Sequence, residues 1–165
     1  RLRRPAHGRD VEAADRRDAP RSGRPDAGVV TVTLWPTARD KFAEGLIDWD
    51  ADSFLLIALD STYTYDAAHE FRDDLTGVLG TASLVNTSIA SGGACDADDT
   101  SLSGPTVGQT VRAIAICKST GVAATDDLIY FASTQTDGTN ILRVSDGVNP
   151  ITFVWSNSIT RIFRV

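Results

Sequence analysis

Methionine is absent from the 165 residues, cysteine and histidine occur twice each, and lysine stands only at Lys41 and Lys118. Two cysteines cannot build the disulfide framework of a small secreted domain. Cys95 and Cys117, 22 positions apart, form at most one bridge and are expected as free, partly buried thiols. With His7 and His69 as the only histidines, no recurring Cys/His spacing offers a zinc ligand set. No apolar run approaches the ~18 residues that a membrane-spanning helix needs. The basic start Arg1-Leu2-Arg3-Arg4-Pro5 has no apolar stretch behind it, so a secretory leader is not expected. Phosphate-cradling loops of the G-x-x-x-x-G-K-[ST] or G-x-G-x-x-G type do not occur.

What is present is ordinary globular composition, 42% apolar and 23% charged, enough for one domain with an arm. The charge is divided unevenly. Residues 1–27 hold eight arginines against five acids, a balance of +3, whereas residues 28–165 hold eight basic side chains against seventeen acids, a balance of −9. A net-acidic body repels phosphate, so direct nucleic-acid binding by the body is not expected. Residues 1–28 scatter Leu2, Val11 and a few alanines among Arg, Asp, Pro and Gly. Such a segment buries too little apolar surface to offset its ordering entropy, and reads as an extended basic N-terminal arm ahead of a globular domain, 29–165.

The domain reads as mainly β. Val29–Trp35 is β-rich and stops at Pro36, which cannot donate to a ladder. Short helices are expected over Ala38–Leu46 and Ala67–Leu75, each with apolar residues at i,i+4. Ser53–Leu59, the most apolar stretch, reads as a buried central strand. Further strands are expected at Ala82–Ala90, Ala94–Leu102, Thr110–Cys117, Leu128–Ser133, Asn140–Val144, Ile151–Trp155 and Ile159–Val165, punctuated by Gly and Asx. Val111, Ala113, Ala115 and Cys117 on one side of Val111–Cys117, and Arg112, Ile114 and Ile116 on the other, leave both sides largely apolar, which places that strand in a sheet covered on both faces. The pattern predicts a small antiparallel β-sandwich or a partly open barrel, with one or two short helices.

Sites for chemistry are few. Asp48, Asp50 and Asp52 imitate the opening of a calcium loop, but Ser53 and Leu59 stand where it needs Gly and Glu. Asp96, Asp98 and Asp99 lack the same partners, and both clusters read as solvated turns. His69 is the only base the body offers for nucleophilic catalysis, and no G-x-S-x-G elbow accompanies it. The expectation is no enzyme, no cofactor and no metal. Trp35, Trp49, Trp155 and Tyr63 fall at element ends, where aromatics serve either as interface anchors or as caps on a barrel's ends.

Several segments in order carry a resemblance. Lys41–Ser53, with its acidic turn around Trp49, precedes the apolar strand Phe54–Leu59; then come Asp60-Ser61-Thr62-Tyr63-Thr64-Tyr65-Asp66, His69-Glu70-Phe71 and Asp73-Asp74-Leu75. The chain closes with Ile151–Trp155, a polar turn and Arg161-Ile162-Phe163-Arg164. Over roughly 38–165 this resembles a family of small structural proteins of tailed-bacteriophage virions, departing from it at Gly80–Leu84, where a Gly-Thr-Gly-Tyr-like strand is usual. The resemblance implies a non-enzymatic virion protein present in many symmetric copies, assembled in the host cytoplasm, with the major capsid protein or other virion proteins as partners. Within it, Arg1, Arg3, Arg4, Arg16 and Arg17 are expected to contact acidic patches on those partners, and Trp35 and Trp49 to lie at a subunit interface. A head decoration protein is the leading expectation. A tail, baseplate or fibre-attachment component is the alternative, and a carbohydrate- or cell-surface-binding β module a more distant one.

Overall fold

A computed structural model describes residues 32–135, 139–155 and 162–165. The arm, with Arg1, Arg3, Arg4, Arg16 and Arg17, lies outside the described residues, as does the expected strand start at Val29.

The central element is a five-stranded antiparallel sheet. Its strands are β1 (Val32–Leu34), β2 (Phe54–Leu59), β3 (Val78–Ser83), β8 (Ala113–Lys118) and β9 (Leu128–Ala132), in the spatial order β1-β9-β8-β2-β3. Every residue of β9 and all of Ala113–Cys117 in β8 are buried, as two-sided apolar strands at a sheet centre should be. Register places Leu34, Tyr130, Ile116, Leu56 and Ala82 in one row across the sheet, on one face. The next row, on the opposite face, holds Thr33, Phe131, Ala115 and Ile57.

Small antiparallel sheets cover the Tyr130 face. They are β4 (Ser88–Ala90), β5 (Ala94–Asp96) and β12 (Phe163–Arg164) in the order β12-β5-β4, then β6 (Thr100–Leu102) with β11 (Ile151–Phe153), and β7 (Thr110–Val111) with β10 (Arg143–Val144). Phe163 delivers the key contact: its ring stacks on Tyr130 (5.5 Å) and meets Trp49 edge-on (4.9 Å). Leu102 of β6 packs where Gly80 of β3 carries no side chain; a Cβ there would stand 3.3 Å from it. The opposite face is covered by the loop after β2, whose Tyr63 and Tyr65 pack on Phe131 together with Trp35. The chain is therefore mainly β, as expected. Among the described residues the large sheet does not close, since β1 and β3 remain its edges, and the layered sheets are consistent with a small β-sandwich.

Several expected elements are corrected. The expected strand Thr110–Cys117 divides at Arg112 into β7, paired with β10, and β8 of the large sheet, and Asn140–Val144 shortens to β10. The first helix, α1, spans Pro36–Ala43 instead of Ala38–Leu46, because Pro36 suits the first helical turn, and Gly45, at φ +72°, follows its end. Ala67–Leu75 is not an α-helix. The Asp66 carboxylate accepts the Ala68 N–H and the Asp74 carboxylate accepts those of Glu70 and Phe71, so side chains replace the helical ladder, and only a 3-10 turn at Arg72–Asp74 survives. The expected strand Ala82–Ala90 breaks at Asn86 (φ +52°) into β3 and β4. Ala94–Leu102 breaks into β5 and β6 over the acidic turn 97–99.

Candidate functional site

Among the described residues, the corner formed by the loop after β2 gathers an arrangement that imitates a catalytic relay. Asp60 accepts the backbone N–H (2.7 Å) and hydroxyl (2.6 Å) of Thr62, an Asx turn that aims Tyr63 inward. The Tyr63 hydroxyl lies 3.0 Å from His69 Nδ1, and His69 Nε2 lies 4.0 Å from Asp66 Oδ2. Burial, chiefly, pushes the Tyr63 phenol up to about 12, with Tyr65, Asp66 and Asp74 adding to the rise against the Asp66 backbone N–H. A phenol that must give up its proton near neutrality needs the opposite shift. At 4.0 Å, Asp66 also stands too far away to orient the imidazole by a hydrogen bond. The Trp35 indole N–H donates to the Asp66 carbonyl (2.9 Å), tying the loop to the sheet. His69 works as a structural partner of Tyr63 in this corner.

A second polar centre was hidden in the sequence as a turn. Asp126 is fully buried between the 3-10 turn Ala123–Thr125 and β9. Its Oδ1 accepts the Thr120 backbone N–H and hydroxyl, and its Oδ2 lies 2.7 Å from Arg72 Nε. The Arg72 N–H is not aimed at that oxygen, so the contact is a charge pair rather than a well-formed hydrogen bond. Burial raises the Asp126 carboxyl, but the two Thr120 bonds and the Arg72 charge outweigh it and hold the group below its ordinary value. The Arg72 backbone N–H donates to the Asp126 carbonyl (3.0 Å), and Lys41 pairs with Asp127 beside it. This network pins the turn at Arg72–Asp74 to the start of β9. The chain's two lysines are both spent on ion pairs, Lys41 with Asp127 and Lys118 with Asp52 (2.7 Å).

The acidic clusters are turns. Asp48 and Asp52 accept backbone N–H groups at Asp50 and Asp48, and Lys118 neutralises Asp52. Asp98 holds the Asn86 amide and Asp99 the Trp155 backbone N–H. Among the described residues no group of His, Cys, Asp and Glu has a metal-holding arrangement. Cys95 and Cys117 are free and buried. Burial first, then the charge of Asp50 for Cys95 and of Asp126 for Cys117, lifts both thiols to about 12.

The two tryptophans expected at a subunit interface are fully buried in the chain's own core. Trp49 stacks on Phe54 at 4.3 Å and donates its indole N–H to the Asp96 carbonyl; Trp35 lies against Tyr65 and Phe131. Neither has surface left for a partner, which matches the alternative of aromatics closing the ends of the fold. Among the described residues no aromatic side chain is fully exposed, although Phe153 and Trp155 are partly exposed. Concavities among the described residues include one of about 260 Å³ beside Arg143, Asp146 and Asn149 and two others. Of these two, one, about 210 Å³, lies beside Tyr130, Thr134, Arg143, Phe153 and Trp155, and the other, about 590 Å³, runs along α1. Family models, curated proteins and solved structures yield no match to this chain.

Proposed function

We propose that this chain is a non-enzymatic structural protein of a tailed-bacteriophage virion, a decoration or cement protein that grips the outer shell through its basic N-terminal segment and its body. The observation that carries the proposal is where the segments of the resemblance meet. The acidic turn brings Trp49, the apolar strand brings Phe54 and the Ile-Phe ending brings Phe163 into one ring cluster. The Ser-x-Tyr-Thr turn and the His69 segment likewise meet through Tyr63 and His69. These residues are thus held together by the architecture they build, as structural proteins sharing a fold require.

Further support comes from the roles already taken by reactive groups. His69 is engaged with Tyr63, and both thiols are buried and hard to ionise. Charge supports attachment in the same way: a +3 arm on a −9 body suits contacts to acidic neighbours, including other copies of the chain.

The test is the copy number of this chain relative to the major capsid protein in purified particles, measured by quantitative mass spectrometry. A ratio near one, or a simple fraction of it, supports shell decoration. A handful of copies per particle moves the chain to the tail or baseplate, and absence from particles refutes the virion reading. Attachment that weakens steeply with salt is expected if the arm arginines carry it, because exposed charges are screened within ~8 Å at physiological ionic strength.

A further inference from the structure

Residues 75–95, twenty-one in succession, carry no charged side chain, in a chain that is 23% charged. They include β3, an outer strand of the large sheet, and β4. Backbone hydrogen bonding alternates along β2, the neighbour of β3. The Ser119 N–H donates to the Ser53 carbonyl and the Leu84 N–H to the Phe54 carbonyl, so odd-numbered residues of β2 bond β8 and even-numbered ones bond β3. Leu56 is paired with Ala82, which therefore bonds inward, whereas Thr81 and Ser83, opposite Ile57 and Leu55, turn their N–H and C=O groups off the edge of the sheet. Both residues are exposed, and no described strand pairs with β3 on that side.

An open edge of this kind is a template for another strand unless charge, proline or shortness blunts it. The other edge of the sheet, β1, is three residues long and runs into Pro36. By contrast, β3 has six residues, and none of them is charged or proline. Apolar side chains stand at both of its ends, Val78 at 45% and Val85 at 52% exposed. Residues 28–165 carry a balance of −9, so two copies repel wherever their acids meet. The uncharged edge is the surface on which two copies can approach without that cost.

We propose that β3 is a self-association edge, on which β3 of a second copy pairs antiparallel about a two-fold axis at Ala82. Thr81 of each copy then lies opposite Ser83 of the other, and each such pair exchanges both of its outward backbone hydrogen bonds. Ala82 meets Ala82 across the axis, where a small side chain suits the close spacing of a non-hydrogen-bonded pair. Val85 of one copy falls beside Leu79 of the other, which covers apolar surface at both ends of the strand. Every side chain in this pairing meets one of its own kind, small polar on small polar and apolar on apolar, as a two-fold interface requires. Pairing consumes the edge, so it stops at two copies. It belongs to the isolated chain and does not depend on the virion reading.

The experiment uses the full chain and follows its mass by analytical ultracentrifugation from about 10 µM to about 1 mM, the range suited to an interface below the roughly 1,200 Å² of stable complexes. The mass should rise from one chain to two and stop there. Amide exchange reports the register. Thr81 and Ser83 should exchange about tenfold more slowly once about nine chains in ten are paired, while Ala82, bonded to β2 throughout, should be slow at every concentration. Thr81→Pro removes an outward donor that β2 does not use, and Thr81→Lys sets like charges near the axis. Each should weaken pairing at least about tenfold while circular dichroism shows the sheet retained; the lysine variant carries the test if the proline variant fails to fold. A single-chain mass at every concentration overturns the proposal, as does a dimer that the folded variants leave intact or a mass that climbs past two chains. Slowed exchange at Thr81 and Ser83 only on adding another protein would give the edge to that partner and overturn the second-copy assignment.

Discussion

Replacing Trp49 by phenylalanine and by alanine separates a core role from an interface role. The ring is fully buried, stacked 4.3 Å from Phe54 and edge-on 4.9 Å from Phe163, and its N–H donates 2.8 Å to the Asp96 carbonyl. Trp49→Ala leaves a cavity where three rings met and should cost about 3–5 kcal/mol. Trp49→Phe keeps most of the ring contact but loses the indole hydrogen bond to the Asp96 carbonyl, at about 1–3 kcal/mol. For a domain of this size each kcal/mol lowers the thermal midpoint by about 2–4 °C, so the phenylalanine variant should melt about 2–12 °C early. Against a total stability of roughly 5–15 kcal/mol, the alanine variant should be largely unfolded in modest urea. Urea unfolding followed by far-ultraviolet circular dichroism measures both, with light scattering reporting mass over a range of concentrations. An unchanged unfolding midpoint with a reduced oligomer mass would refute the core assignment and return Trp49 to an interface.

The other predictions concern the buried charge, the thiols and one glycine. Asp126→Asn should destabilise by about 2–3 kcal/mol at neutral pH, below the usual loss for a broken buried pair because Arg72 remains a quarter exposed. Its folded carboxyl titrates below the unfolded value near 3.9, so the contribution is present above about pH 4 and disappears as pH falls through the folded value. Acid titrations of the two proteins should therefore converge below that point; a constant gap down to the lowest pH would contradict the ionised pair. Cys95 and Cys117, with thiols near 12, should resist a thiol reagent at pH 8 and both react in denaturant. Stoichiometric labelling of the native chain would show that the sheet does not cover them. Gly77→Ala should cost more than the roughly 1 kcal/mol of a left-handed alanine. Gly77 sits at φ +65°, and a Cβ would overlap the Asp60 carboxylate that holds the Thr62 turn. A melting temperature equal to the parent's would refute the constraint.

Local pattern determined the elements whose environment is written in their own residues. Phe54–Leu59 and Ala113–Cys117 are apolar on both sides, and a strand of that kind has no stable place except inside a doubly covered sheet, where β2 and β8 lie; the expected continuation of the second through Val111 and Arg112 is not part of that sheet. The mainly β, antiparallel class and the short helix after Trp35 were legible for the same reason. Pattern failed where side chains compete with the backbone. In Ala67–Leu75 the apolar spacing is helical, yet Asp66 and Asp74 take the N–H groups a helix would use.

Burial of the aromatics was decided only by the tertiary structure. Trp35 and Trp49 stand at element ends in the sequence, a position equally suited to an anchor or a cap. What covers Trp49 is Phe163 from the far end of the chain, and what covers Trp35 is Phe131 together with the folded-back Tyr65. Asp126 is the same case for charge, a turn residue by composition and a buried partner of Arg72 in the fold. Periodicity reports which face of an element is apolar, whereas coverage at an element's end depends on which distant segment returns to it, and no local spacing encodes that.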